Sequence, residues 1–242
     1  MGNQPFIKFS KLLFWILLLT CVGVPILLSR GCSDRPPKLT ASPHPKDGTA
    51  VYLLIDVSGS MNEKVPNAAG AQQQKLAIAK GAATAVCKSI AKYADEDRKR
   101  IIRLAVASFS DDFKVEVPMD EPHPEAAARA IDALNPRGST AIGNAVIQAQ
   151  QALDATGLSR QHIIILTDGE NTSGTSPELV AEAINALPAE LRPSVYVVAF
   201  DVNADVFSDV KAKSWQIFSA SNGTQLQQQL DEVVGGHILL EK

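Results

Sequence analysis

The sequence predicts an α/β protein built on a doubly wound, mostly parallel six-stranded sheet with one antiparallel strand and helices on both faces. Short apolar runs alternate along the chain with amphipathic stretches of helical period, which is the order that βαβ units produce. Some of these runs, such as 163–166, contain no polar residue. Continuous apolar runs are typical of parallel strands that are buried on both faces of a sheet.

The expected elements follow from these periods. Strands are predicted at 50–55, 101–109, 113–117, 163–167, 194–200 and 215–219, and helices at 73–93, 124–134, 141–155, 177–187 and 224–234. Ser176 before Pro177 suits the start of a helix, and Gly157 suits the end of one. Because only residues 110–112 separate the second and third strands, these two are expected to form a hairpin, which makes one strand antiparallel. A polar loop is expected at 61–74.

The composition limits the class of protein. A chain of 242 residues has room for one sizeable domain and a small addition. Its 23 Lys and Arg against 26 Asp and Glu give a net charge of −3, and the body of the chain has no long basic run. Such a chain lacks the basic surface that follows a phosphate backbone, so no nucleic acid is expected as a partner. Composition leaves the oligomeric state open.

The first part of the chain differs from the rest. Residues 12–29 carry no charge and follow a short tail, 1–11, that contains Lys8 and Lys11. About 20 apolar residues span a bilayer, so this run is near the short end of the permitted range. We expect a transmembrane signal anchor at 12–29. A signal peptide that is cleaved to release a secreted protein is the alternative, although no A-x-A-like site follows the run.

The anchor also suggests where the rest of the chain lies. Basic residues flank the apolar run on both sides, so the positive-inside rule does not decide its orientation. A short tail before an apolar segment behaves like an uncleaved signal, and we therefore expect a single-pass protein whose domain is extracytoplasmic. Residues 30–48 contain four prolines and are expected to form an extended tether, followed by the domain at 49–242.

Five oxygen-bearing side chains are expected to converge at the carboxyl edge of the sheet. Asp56, Ser58 and Ser60 directly follow the first strand, and their i, i+2, i+4 spacing places them on one face of extended backbone. Asp168 ends the strand at 163–167, and Thr140 lies in a loop that opens a helix. Ligands of open α/β sheets gather at this edge, where the connections diverge.

The chemistry of these side chains indicates a divalent cation. Carboxylate and hydroxyl oxygens are ligands for hard ions, so Mg²⁺ is expected, with Mn²⁺ or Ca²⁺ as alternatives, rather than zinc or copper. Two ionised aspartates balance the charge of the ion without exceeding it. The bound ion therefore stays electrophilic, and an acidic side chain from a partner protein can complete its shell.

Three segments of the chain resemble the von Willebrand factor type A domain with its metal-ion-dependent adhesion site. They read VYLLIDVSGSM from Val51, GSTAIG from Gly138 and LTDG from Leu166, and the resemblance covers roughly 50–235. It implies that Ser58 and Ser60 bind the ion directly, that Thr140 does so in the ligand-competent state, and that Asp56 and Asp168 act mostly through bridging waters. It also implies that a partner supplies an Asp or Glu carboxylate, for adhesion or complex assembly.

Two other functions remain as alternatives. A metal-dependent phosphatase or hydrolase is the less favoured, because Ser58 stands where a haloacid dehalogenase has a second Asp, no G-x-S-x-G elbow follows the first strand, and no histidine falls in the motif segments. We therefore expect no enzyme. The other alternative is a membrane-tethered scaffold that makes no use of a metal. Asp201, at the end of the strand 194–200, is interpreted as a capping or loop residue rather than as a support of the site.

Overall fold

A six-stranded sheet lies at the centre of the protein. The strands of the structure are β1 (Lys46–Asp56), β2 (Lys64–Pro66), β3 (Gln72–Gln74), β4 (Ile102–Phe109), β5 (Phe113–Asp120), β6 (Leu158–Thr167), β7 (Ser194–Phe200) and β8 (Gln216–Ala220). Six of them form one sheet in the order β5-β4-β1-β6-β7-β8. All neighbours in it are parallel except β5, which pairs antiparallel with β4. The predicted fold class and the predicted hairpin are confirmed.

The computed structural model describes residues 35–66 and 71–241. The predicted tail at 1–11 and the predicted anchor at 12–29 lie outside this part of the chain. The described residues form one compact unit. Within the described residues, no helix combines the length and the apolar character that crossing a membrane requires.

Helices cover both faces of the sheet. They are α1 (Lys75–Glu96), α2 (Pro124–Asp132), α3 (Ile142–Asp154), α4 (Pro177–Asn185), α5 (Ser208–Lys211) and α6 (Gly223–Glu232), and a π-helical turn, Val233–Ile238, follows α6. Helix α1 packs with α2 and α6 on one face, while α4 packs with α3 and α5 on the other. This division produces two separate apolar cores, one on each side of the sheet.

Strand β1 is the axis of the fold. Val51, Leu53 and Ile55 belong to one core and are fully buried, whereas the alternate residues Tyr52 and Leu54 point into the other. When both rows of side chains of a strand are buried, a shift in register would expose some of them, so the native register is strongly favoured. The carboxyl end of β1, where Asp56 lies, is therefore held rigidly between β4 and β6.

Several elements are longer or more structured than the hydrophobic pattern predicts. The expected loop at 61–74 contains the antiparallel pair β2 and β3. Strands β1 and β6 begin earlier than predicted, since Lys46 pairs with Leu158 and Thr49 with Arg160. Backbone pairing does not require apolar side chains, so polar residues continue a ladder that the apolar core has already aligned.

The residues before β1 contact the domain. Leu39 packs against the core on the α3 face, and the Thr40 carbonyl accepts a hydrogen bond from Gln150. The side chain of His44 is 3% exposed, and its Nε2 lies 2.9 Å from Asp154 Oδ1 and 3.0 Å from Gln161 Nε2. The second half of the predicted tether, 30–48, therefore lies on the surface of the domain and runs directly into β1.

These contacts predict that His44 stabilises the domain. In His44→Ala the chain loses the hydrogen bond between a buried imidazole and the carboxylate of Asp154, which should lower the free energy of unfolding by about 1–3 kcal/mol. Urea denaturation of the full chain measures this difference. His123→Ala, which removes an exposed imidazole, is the control. Equal destabilisation by the two variants would show that the segment before β1 does not stabilise the domain.

Candidate metal site

Asp56 ends the central strand and is completely buried. Its Oδ1 accepts a hydrogen bond of 2.7 Å from the backbone N–H of Ser58, and its Oδ2 accepts one of 2.6 Å from Thr167 Oγ1. Burial raises the pKa of this carboxyl to about 6, and the bonds from Thr167 and Ser58 oppose the rise. Both oxygens are thus oriented by the protein, in surroundings that disfavour an uncompensated negative charge.

Ser58, Ser60 and Asp168 continue from Asp56 as one hydrogen-bonded cluster. The hydroxyls of Ser58 and Ser60 lie 3.0 Å apart, and Ser60 Oγ donates to Asp168 Oδ1 over 2.7 Å. Ser58 and Asp168 are buried, while Ser60 is partly exposed. The structure thereby brings four of the five predicted residues together, from the ends of β1 and β6, which are neighbours in the sheet.

The fifth residue, Thr140, is buried in a loop that contacts the loop of Ser58. The N–H of Gly59 donates to the carbonyl of Gly138, at 3.0 Å, and the Thr140 N–H donates to Thr172 Oγ1, at 2.8 Å. Gly138 has φ +71°, a left-handed conformation that favours glycine, and a Cβ there would crowd the carboxylate of Asp111. The loop that carries Thr140 is therefore positioned by contacts with both neighbouring loops.

A buried lysine that sequence reasoning missed also borders the cluster. Lys75, the first residue of α1, is 5% exposed. Its Nζ lies 2.9 Å from Glu63 Oε2, 3.1 Å from Asp201 Oδ2 and 3.2 Å from Asp168 Oδ2. The interpretation of Asp201 as a capping or loop residue misses this contact. No local pattern indicates it, because the carboxylates that surround Lys75 come from three different connections.

The donor set fits a hard divalent cation. Asp168 Oδ2 is buried and pairs with the Lys75 ammonium, at 3.2 Å, but accepts no hydrogen bond, so it retains acceptor capacity for an ion. Two carboxylates and two hydroxyls within one bonded cluster are oxygen ligands of the kind that Mg²⁺ prefers. In the described part of the chain, no group of three or more His, Cys, Asp and Glu side chains has the arrangement of a metal site. Any ion here would therefore depend on the hydroxyls.

Comparison with known proteins identifies the fold family. Residues 51–170 match the family model of the von Willebrand factor type A domain, and all five candidate residues lie within this range. The chain contains a von Willebrand factor type A domain. No curated protein matches the chain.

Several solved structures share the architecture. A von Willebrand factor type A structure from Catenulispora acidiphila has a TM-score of 0.62 at 20% identity, and the match covers 77% of this chain and 42% of that one. The PilB minor pilin from Streptococcus sanguinis has a TM-score of 0.63 at 14% identity, and the match covers 84% of this chain and 63% of the pilin. BatB from Bacteroides thetaiotaomicron has a TM-score of 0.60 at 17% identity, and the match covers 78% of this chain and 98% of BatB. The chain spans less than two thirds of the first two proteins, and identities this low establish the fold alone.

The burial of Asp56 predicts that this carboxylate destabilises the metal-free domain. Its folded-state pKa, about 6, exceeds the ordinary 3.8, so the ionised form opposes folding at neutral pH. Asp56→Asn removes that charge and should raise the stability of the metal-free protein at pH 7 by about 1–3 kcal/mol, which is roughly 2–10 °C in melting temperature. The advantage of the variant should shrink as the pH falls from 7 towards 4, because Asp56 then becomes protonated in the wild type.

Thermal unfolding of the full chain in EDTA across this pH range measures the effect. Asp209→Asn, which neutralises an exposed aspartate of α5, is the control and should change the melting temperature little. A lower melting temperature for Asp56→Asn than for the wild type at pH 7 would contradict the electrostatic argument.

Proposed function

We propose that this von Willebrand factor type A domain binds a protein partner through a divalent cation, with Mg²⁺ favoured over Mn²⁺ and Ca²⁺. Ser58, Ser60 and Thr140 would hold the ion directly, and Asp56 and Asp168 would act through bridging waters. The observation that carries the proposal is the continuous hydrogen-bonded cluster that links Asp56, Ser58, Ser60 and Asp168 at the carboxyl edge of β1 and β6. The ion, when bound, supplies an electrophilic point for an anionic oxygen.

The charges of the site favour a carboxylate as the group that the partner presents. Two aspartates offset the charge of a divalent ion, while the serine and threonine hydroxyls stay neutral. An Asp or Glu side chain from outside then binds the ion with a charge that the site itself does not supply. Asp56 and Asp168 are almost completely buried, so the exposed part of the cluster, at Ser60, is the side open to a partner.

The family relationship supports protein binding as the role. Von Willebrand factor type A domains generally mediate protein–protein interactions. The similar structures include the vWF domain of the type V pili tip protein Mfa5 from Porphyromonas gingivalis and the PilB minor pilin from Streptococcus sanguinis. For this chain we propose adhesion or complex assembly, with the domain held at a membrane by residues 12–29 and lying outside the cytoplasm. Release as a secreted protein after cleavage is the alternative.

Other observations favour binding over catalysis. The family is mostly non-enzymatic. Among the described residues, none of the histidines contacts the cluster: His44 bonds with Asp154, His162 lies 3.1 Å from Glu241, His237 packs on aromatic rings, and His123 is exposed before α2. A hydrolase at this site would therefore have no histidine as its general base. We therefore propose no reaction.

Titration with Mg²⁺ alone tests the site. At a concentration of 100 times the dissociation constant, a ligand that binds only the folded state stabilises it by about 2.7 kcal/mol. The melting temperature of the full chain in detergent should therefore rise by roughly 5–10 °C, and EDTA should reverse the rise. Ser58→Ala and Asp168→Ala should remove the response, whereas Ser159→Ala, at an exposed position, should keep it.

The three candidate functions give different results in capture experiments with the full chain. Retention of a partner that is lost with EDTA, with Ser58→Ala, and with an Asn or Gln replacing the partner's acidic residue supports the carboxylate-completed site. Retention that ignores both Mg²⁺ and Ser58→Ala supports the scaffold without a metal. Turnover of a phosphate ester that disappears in Asp56→Ala would overturn the proposal in favour of a hydrolase.

A further inference from the structure

Lys75 places a positive charge next to a carboxylate of the candidate metal site. Its ammonium is almost completely buried and contacts three carboxylates, those of Glu63, Asp201 and Asp168, at 2.9, 3.1 and 3.2 Å. An ammonium has three N–H donors, and three acceptors surround this one. Glu63 and Asp201 are partly exposed, at 66% and 37%, whereas the Asp168 side chain is fully buried. The contact with Asp168 is therefore the one that solvent screens least.

The location of Lys75 in α1 is unfavourable by itself. The first turn of a helix carries the positive end of the macrodipole, which disfavours a cation. Helix α1 has no acidic residue in its first turn and no side-chain cap at Gln74. The Lys75 N–H instead donates to the carbonyl of Glu63, at 2.8 Å. A buried lysine at this position depends on three carboxylates, which come from the connections after β1, β6 and β7.

The surroundings keep the amine charged. Burial removes water from the ammonium, but three carboxylate oxygens lie within 3.2 Å of Nζ and favour its charged form. The positive charge is therefore a constant feature of the site.

We propose that Lys75 is a permanent counter-charge of the metal site, an inference that rests on the function proposed above. Its ammonium forms an ion pair with Asp168 Oδ2, while Asp168 Oδ1 accepts a hydrogen bond from Ser60 Oγ. Its charge compensates Asp168 when no ion is bound and repels a divalent ion when one enters. Lys75 thereby weakens the affinity for the ion and adds positive charge that favours an anionic group of the partner.

Neutral replacements of Lys75 test this role. Lys75→Met keeps the length of the side chain without its charge, and Lys75→Gln, which retains a neutral donor, serves if the methionine variant folds poorly. Both should bind Mg²⁺ about tenfold more tightly than the wild type, the order of effect expected from removing one unit charge at close range. Lys88→Met, at an exposed position of the same helix, removes the same net charge and should leave the affinity unchanged.

Isothermal titration of the full chain in detergent with Mg²⁺, together with melting temperatures in EDTA, gives two independent readouts. The metal-free Lys75 variants should melt at a lower temperature than the wild type, and the increase produced by Mg²⁺ should be larger in them. A folded Lys75 variant that binds Mg²⁺ with wild-type or weaker affinity overturns the inference while the metal site stands. Absence of Mg²⁺ binding in both wild type and variants overturns the metal site and this inference with it.

Discussion

The structure depends on two aspartate carboxylates that are buried at the carboxyl edge of the sheet. Isolated carboxylates in such surroundings are costly, because burial removes the water that stabilises their charge. Asp56 instead accepts hydrogen bonds from the hydroxyl of Thr167 and the backbone N–H of Ser58. Asp168 accepts one from Ser60 and pairs with the Lys75 ammonium. Much of the local architecture at this edge can be understood as the compensation of these two charges.

The fold brings these compensating groups to one place. Strand β1 lies between β4 and β6; the chain leaves β1 towards α1 on one face of the sheet and leaves β6 towards α4 on the other. The connections therefore separate between β1 and β6, which leaves a crevice at their carboxyl ends. Asp56 comes from one side of that crevice and Asp168 from the other. The two apolar cores fix β1 and β6 so firmly that the acidic side chains have little freedom to move apart.

Compensation in the metal-free protein is incomplete, and this links stability to the proposed function. Asp56 remains in surroundings that raise the pKa of its carboxyl, and Asp168 Oδ2 accepts no hydrogen bond. Under the proposed function, a divalent ion would compensate both carboxylates. Lys75 would stabilise the domain without the ion and would oppose its binding. A carboxylate of the partner would then complete the shell of the ion.

The sequence by itself determined the features that depend on short-range patterns. The strand and helix periods indicated the fold class and the β4–β5 hairpin, and the i, i+2, i+4 spacing after β1 indicated that Asp56, Ser58 and Ser60 act together. The order of the strands explains why Asp168 was also expected nearby.

Only the tertiary structure decided the rest. The contacts of Lys75 join residues 63, 168 and 201, and those of His44 join 44, 154 and 161, at separations along the chain that no local period encodes. The β2–β3 pair likewise has no apolar alternation, because its strands are short and polar and are defined by backbone pairing. Hydrophobic periodicity reports which residues are buried. It does not report which buried charges become partners, because that depends on how distant connections meet at the edge of the sheet.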